Sequence, residues 1–99
     1  MKVALLPPAQ LELDEAFAWY ESQVVGLGYG FLDEFNRAVR LAVSFPELYQ
    51  QVSPGIRRCL LNRFPYGLLY GQNEGVIVIV AVAHLRQRPN YWLDRMTSK

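Results

Sequence analysis

The strongest constraint on the fold is an unbroken apolar run in the C-terminal quarter of the chain, VIVIVAVA at residues 76–83. Most of its residues are β-branched and no polar residue interrupts them, a pattern typical of a strand that is covered on both faces. The eight residues are far fewer than the ~20 that a bilayer-spanning helix needs. The run therefore predicts an interior strand of a sheet, and other parts of the chain must cover it.

Two helical patterns can supply that cover. Apolar residues recur at helical spacing over residues 9–24, directly after a Pro7-Pro8 pair that suits the first turn of a helix. A second helical pattern follows over residues 31–45. The break between them contains three glycines, Gly26, Gly28 and Gly30. The sequence therefore predicts an antiparallel helical hairpin, and no other segment offers a comparable cover for the apolar strand.

The remaining apolar segments are short and punctuated by turn residues, which indicates strands. The predicted strands are residues 2–6, 56–61, 66–71 and 76–84, and a short helix or turn is expected over residues 89–95. The predicted class is α+β with element order β-α-α-β-β-β. We expect an antiparallel sheet with the helical hairpin packed on one face, and residues 1–99 forming one domain.

Composition excludes several classes of protein. The chain is 52% hydrophobic and 13% aromatic, which excludes intrinsic disorder. The single cysteine, Cys59, cannot form an internal disulfide and is expected to be a small buried residue. No cysteine–histidine cluster suggests a metal site, and we expect no cofactor. No charged-then-apolar leader opens the sequence, so we expect a cytoplasmic protein without a membrane segment.

Charge is distributed unevenly between the two halves of the chain. Residues 1–50 contain three basic and seven acidic residues, whereas residues 51–99 contain seven basic and two acidic residues. Most of the basic residues are arginines, which suit bidentate contacts to phosphate or carboxylate groups. The asymmetry predicts an anionic partner for the second half, although a solvated sheet edge that needs positive charge would give the same composition.

The arginines of the second half are interleaved with aromatic residues. Arg57 and Arg58 are adjacent on a predicted strand, so only one of them can share a face with the helices. We expect four arginines to line one continuous surface on the open side of the sheet: Arg58, Arg63, Arg86 and Arg88. Tyr91 and Trp92 are candidate binding residues beside them, although a purely structural role is the favoured alternative for Trp92 and Tyr70.

His84, the only histidine, ends the predicted interior strand. A lone histidine at a strand end is more often structural than catalytic. Its arginine and tyrosine neighbours raise the catalytic alternative, since cleavage of RNA by its own 2′-OH needs a base, an acid and cations, which His, Tyr and Arg can supply without a metal. The glycines of residues 26–30 follow a helix instead of a strand, so they do not fit a dinucleotide-binding loop.

At the level of whole segments, the sequence resembles the RelE/ParE superfamily of toxins from bacterial type II toxin–antitoxin systems. The segments that carry the resemblance are EAFAWYESQVVGLGYGFLDEF (15–35), RRCLLNRFPYGLLY (57–70) and VIVIVAVAHLRQRPNYW (76–92). The resemblance implies the β-α-α-β-β-β fold and a toxin of the plasmid-stabilisation type, which a separate antitoxin neutralises in a hetero-oligomer.

The superfamily divides by mechanism. Its ribosome-dependent mRNA nucleases carry lysines on the first strand after the helices, and an arginine at the position that Gly67 occupies here. This sequence lacks both features, so it resembles the ParE-like branch, whose implied target is DNA gyrase. A metal-independent endoribonuclease acting on ribosome-bound mRNA is the alternative, with catalytic residues Arg58, His84, Arg86 and Tyr91. A third possibility is an inactive homologue that only binds its antitoxin. We expect the antitoxin to carry an acidic tail, with its apolar side chains on the helical hairpin or a sheet edge.

Overall fold

The structure, a computed structural model, describes residues 1–96. The elements follow one another as β1 (Lys2–Leu5), α1 (Pro7–Gln23), α2 (Leu27–Ser44), β2 (Gln50–Ser53), β3 (Ile56–Leu60), β4 (Tyr66–Asn73), β5 (Val76–His84) and a short 3₁₀ helix (Leu93–Met96). The predicted α+β class is confirmed, and so is the chain order of the predicted elements. Neither helix in this part of the chain has the length and hydropathy of a membrane-spanning segment.

The sheet has five strands in the order β1-β5-β4-β3-β2, so the apolar β5 lies inside the sheet as predicted. Two details differ from the prediction. The sequence pattern does not indicate β2, and β1 pairs with β5 in parallel, whereas the other pairs are antiparallel. The differences have one cause. If the chain reverses at each element, three strands after the hairpin leave β5 antiparallel to β1. With β2 included, β5 becomes parallel to β1.

The helical hairpin turns more tightly than its three glycines suggest. Helix α2 starts at Leu27 and includes Gly28 and Gly30. Glycine suits position 28 because α1 passes close to the first turn of α2. A Cβ atom on Gly28 would lie 2.7 Å from the carbonyl oxygen of Phe17. The Glu21 carboxylate accepts hydrogen bonds from the N–H groups of Gly26 (2.8 Å) and Gly28 (2.9 Å). The chain's own carboxylate therefore satisfies the N-terminus of α2.

The sheet is covered on both faces, but by different parts of the chain. The larger apolar cluster lies between the helices and the sheet and includes Phe31, Phe35, Leu68, Tyr70 and Ile79. A second cluster lies on the opposite face and contains Ile56, Leu69, Val80, Ala81, Ala83 and Trp92. The expectation that the hairpin alone covers β5 is therefore wrong. The residues after β5 supply the second cover, because Trp92 contributes a large apolar surface to that face.

A β-bulge changes the direction in which the side chains of β5 point. Ile79 pairs with Tyr70 and Ala81 with Leu69, so Val80 has no partner opposite it on β4. Val80 and Ala81 both belong to the second cluster, and the alternation of faces shifts by one residue at this point. As a result, the helix-facing positions continue at even-numbered residues, beginning with Val82. The bulge thereby places His84 on the helix side of the sheet.

Candidate functional site

The residues that follow β5 form a strap across the face opposite the helices. The chain leaves the sheet after His84, and the Leu85 N–H donates to the Pro65 carbonyl at 2.8 Å. Residues 85–95, the C-terminal segment, then bring Trp92 onto the second cluster, where its side chain is 4% exposed. Trp92 is thus buried, and so is Tyr70 at 1% exposed, as a structural role for both rings requires.

A pocket of 160 Å³ lies between the C-terminal segment and strands β3 and β4. Its lining includes most of the side chains that the sequence marks as candidates, namely Arg58, His84, Arg88, Tyr91 and Trp92, together with Gly67. Neither Arg58 nor Arg88 has an ion-pair partner among residues 1–96. We call this site the Arg58–Arg88 pocket. It combines two free cations with a buried aromatic floor.

Strand alternation separates the two neighbouring arginines of β3, as expected. Arg57 points toward the helix side and donates to the Tyr49 carbonyl at 2.7 Å. Arg58 points to the opposite face, where its stem lies across Gly67. A Cβ atom at position 67 would lie 3.1 Å from both Cγ and Cδ of Arg58. The missing side chain at Gly67 therefore leaves the space through which Arg58 reaches the pocket.

The structure does not bring all four predicted arginines together. Arg63 lies on the helix side, where its Nε is 3.5 Å from a Glu34 carboxylate oxygen. Arg86 lines a separate cleft with Trp19, also on the helix side. Only Arg58 and Arg88 of the four line the same pocket.

His84 stands where the pocket meets the helix side of the sheet. Its Nδ1 atom accepts the backbone N–H of Arg86 at 3.0 Å, and its ring makes an edge contact with Tyr66. In the neutral imidazole, the nitrogen that accepts cannot also carry the proton, so the proton resides on Nε2. His84 therefore presents a hydrogen-bond donor to its surroundings and has no free proton acceptor.

Tyr91 faces away from solvent, toward a carboxylate on α1. Its hydroxyl donates to Glu12 at 2.6 Å, and Arg95 donates two hydrogen bonds of 2.9 Å to the same carboxylate. Burial, followed by the hydrogen bond to Glu12, raises the pKa of the Tyr91 hydroxyl well above its ordinary value. Tyr91 therefore stays protonated at neutral pH and anchors the C-terminal segment to α1.

The same carboxylate and guanidinium close an open edge of the sheet. Strand β1 pairs with β5 only as far as Ile79, so the rest of β5 lacks a neighbouring strand on that side. There the Val82 N–H donates to Glu12 at 2.9 Å, and Arg95 donates to the Val80 carbonyl at 3.0 Å. Glu12 and Arg95 thus replace the missing part of β1, which protects an otherwise exposed edge.

These contacts limit what the candidate residues can do chemically. A metal-independent nuclease needs a free base and acid beside the cations that stabilise the phosphorane. Here the Tyr91 hydroxyl and the Nδ1 atom of His84 are already engaged in internal hydrogen bonds. Among residues 1–96, no cluster of His, Cys, Asp and Glu side chains is arranged to hold a metal ion. The pocket itself offers the guanidinium groups of Arg58 and Arg88, which can contact an anionic group.

Three residues that support the fold or this site carry no sequence signal. Glu12 and Arg95 are 83 positions apart in the sequence. Glu21 belongs to α1, but its carboxylate caps the N-terminus of α2. Each of them fits its local pattern as an ordinary polar residue on a helix or loop. A sequence-based prediction of their roles would have required the tertiary arrangement first.

Comparison with known proteins agrees with this fold. Residues 3–89 match the family model of the ParE toxin of the type II toxin–antitoxin system parDE. Among solved structures, a chain of the chromosomal ParDE toxin–antitoxin system from P. aeruginosa is similar, with a TM-score of 0.72 and 18% sequence identity. The alignment covers 87% of this chain and 97% of that chain. No curated protein matches the sequence significantly. The chain belongs to the ParE toxin family of type II toxin–antitoxin systems.

Proposed function

We propose that this toxin inhibits DNA gyrase through protein contacts in the cytoplasm and is neutralised by a cognate antitoxin. One observation carries the proposal. The two side chains that would perform acid–base chemistry, His84 and Tyr91, are held in internal hydrogen bonds, whereas Arg58 and Arg88 have no ion-pair partner among residues 1–96. A surface that offers cations without a free base is suited to binding and not to cleavage.

We further propose that the Arg58–Arg88 pocket is the surface that contacts the target. Arginines are enriched at the centres of protein interfaces, where their guanidinium groups make bidentate contacts with carboxylates. The buried Trp92 and the stem of Arg58 over Gly67 give this surface a fixed shape, which lowers the entropic cost of binding.

Two assays of the purified protein test the proposal. We expect inhibition of DNA supercoiling by gyrase and no cleavage of mRNA in a translating extract. The double variant Arg58→Glu/Arg88→Glu should weaken the inhibition at least about tenfold, because like charges at an interface repel. Arg40→Glu is the matched control, since Arg40 is an exposed arginine on α2, away from the pocket.

The alternative reading has a distinct signature. Ribosome-dependent mRNA cleavage that disappears in His84→Ala or Arg86→Ala would overturn the proposal in favour of the nuclease. Arg58 and His84 line one pocket, and this is the observation that favours that alternative. Binding to the antitoxin without inhibition of gyrase or cleavage of mRNA would identify an inactive homologue.

A further inference from the structure

A second concave surface lies on the helix side of the sheet, between α1 and the end of β5. This cleft has a volume of 570 Å³, larger than the 160 Å³ of the Arg58–Arg88 pocket. Its lining consists of Trp19, Tyr20, Pro65, Tyr66, His84 and Arg86. We call it the Trp19 cleft. Its lining differs from that of the pocket in that most of it is aromatic.

The aromatic rings of the cleft support one another in a row. Trp19 meets Tyr20 edge-on with centroids 5.1 Å apart, Tyr20 lies 6.2 Å from Tyr66, and Tyr66 lies 5.0 Å from His84. Such edge-to-face contacts fix the rings. Trp19 nevertheless remains 59% exposed. An exposed tryptophan on a rigid aromatic wall is typical of the centre of a protein interface.

Charge along the cleft indicates the chemistry of what binds there. Arg86 stands at one end without an ion-pair partner in the described part of the chain, and His84 presents its Nε2–H nearby. Beyond Trp19, the Trp19 cleft continues into a neighbouring concavity that is lined in part by Glu15. A nucleic-acid backbone carries a charge on every unit and would meet repulsion at Glu15, whereas a peptide can place its acidic residue at Arg86 alone. A peptide with an acidic residue beside a large apolar one fits the cationic end and the aromatic wall together.

We propose that the Trp19 cleft receives an acidic segment of the antitoxin, with a bulky apolar side chain against Trp19 and a carboxylate on Arg86. This inference rests on the proposed function, which supplies the antitoxin as the partner. Permanent complexes bury more apolar surface than transient ones. The aromatic cleft therefore suits the stable partner, and the charged pocket on the opposite face is left to the target.

Binding measurements with the antitoxin encoded beside the toxin gene test the proposal. We expect Trp19→Ala to raise the Kd about thirtyfold, as loss of an interface hot spot does. Arg86→Glu should raise it at least about tenfold. Leu11→Ala should leave it unchanged, since Leu11 lies on the same helix with a nearly equal exposure of 57%. Arg88→Glu, the matched charge reversal outside the cleft, should raise it less than Arg86→Glu does, since Arg88 contributes only to the overall attraction. Thermal unfolding of each free variant verifies the fold.

Tryptophan fluorescence gives a second measurement. Trp19 is exposed and Trp92 is buried, so acrylamide quenches mainly Trp19 in the free toxin. Complex formation should shield that emission in the wild type and should change little in Trp19→Phe. Unchanged affinity in both Trp19→Ala and Arg86→Glu would overturn the cleft assignment while leaving the toxin–antitoxin pairing intact. Absence of any wild-type complex would overturn the proposed function and this inference with it.

Discussion

Glu34 shows how one carboxylate on α2 fixes the irregular turn between β3 and β4. It accepts the Asn62 N–H at 2.8 Å and lies 3.5 Å from both Arg63 and Arg37. The Asn62 hydrogen bond is the main reason that the pKa of Glu34 is lower than the ordinary value of 4.5. Because the folded state favours the ionised carboxylate, Glu34 stabilises the fold at neutral pH.

We expect that stabilisation to disappear in acid. A lowered pKa in the folded state gives stability above the unfolded value of 4.5, and this stability is lost as the pH falls through the folded value. Glu34→Gln should therefore unfold at a lower urea concentration than the wild type at neutral pH. The difference should shrink as the pH drops below 4.5. Glu47→Gln, at an exposed position, is the control, and a difference that is constant with pH would contradict the mechanism.

Single residues also mark the limit of what could be predicted about the site. His84 and the arginines stand out in the sequence because their types suggest chemistry and because they follow a buried strand. Glu12 does not stand out. Its carboxylate, on α1, nevertheless accepts hydrogen bonds from both β5 and the C-terminal segment. Its role depends on residues far away in the chain, and no local pattern encodes such a contact.

Among the elements, the C-terminal segment depends most on one attachment. The ion pair of Glu12 and Arg95 leaves each side chain only 17% exposed, so breaking it strands a charge in a poorly hydrated place. We expect Glu12→Ala to lower the free energy of unfolding by about 2–4 kcal/mol. It should also speed hydrogen exchange at the Val82 amide, which loses its acceptor. Urea unfolding and exchange measured by NMR test both expectations.

The control is a neighbouring acid on the same helix. Glu15 is exposed, so Glu15→Ala should change stability by less than about 0.5 kcal/mol. Equal losses of stability in the two variants would show that α1 tolerates alanine poorly at either position. Such a result would contradict a specific contribution of the Glu12–Arg95 ion pair.

The prediction of elements succeeded where hydrophobic periodicity is strong. Strand β5 and both helices have long apolar patterns that local sequence reveals. Strand β2, QQVS at residues 50–53, contains one apolar residue and precedes a Pro54-Gly55 turn. Its extended form comes from pairing with β3, which is a tertiary interaction. Omitting this strand also reverses the inferred direction of β1 relative to β5, because the chain reverses its direction at each element.

At the scale of the whole molecule, the helical layer is acidic and the sheet with its C-terminal segment is basic. Most acidic residues of the first half lie on α1 and α2, whereas the arginines of the second half lie on β3 and after the strands. An acidic partner is therefore attracted toward the basic side before any contact forms.

We expect this attraction to govern how fast the antitoxin binds. The association rate constant should fall about tenfold as the ionic strength rises from about 50 to about 500 mM, whereas the dissociation rate changes little. Stopped-flow measurements across that range provide the test. The double variant Arg86→Glu/Arg88→Glu should show a shallower salt dependence. A salt effect confined to dissociation would contradict long-range steering.

The bulge at Val80 has a consequence for how the two binding surfaces can diverge. Strand β5 acts as two half-strands that are out of phase by one residue, and both surfaces depend on side chains downstream of the phase change. If β5 kept its length but paired with β4 without the bulge, simple alternation would carry His84 from the aromatic wall to the arginine side. The facing of the side chains on both surfaces thus depends on one inserted residue, Val80. A change in the alternation of β5 beyond Val80 therefore cannot alter one of them without rebuilding the other.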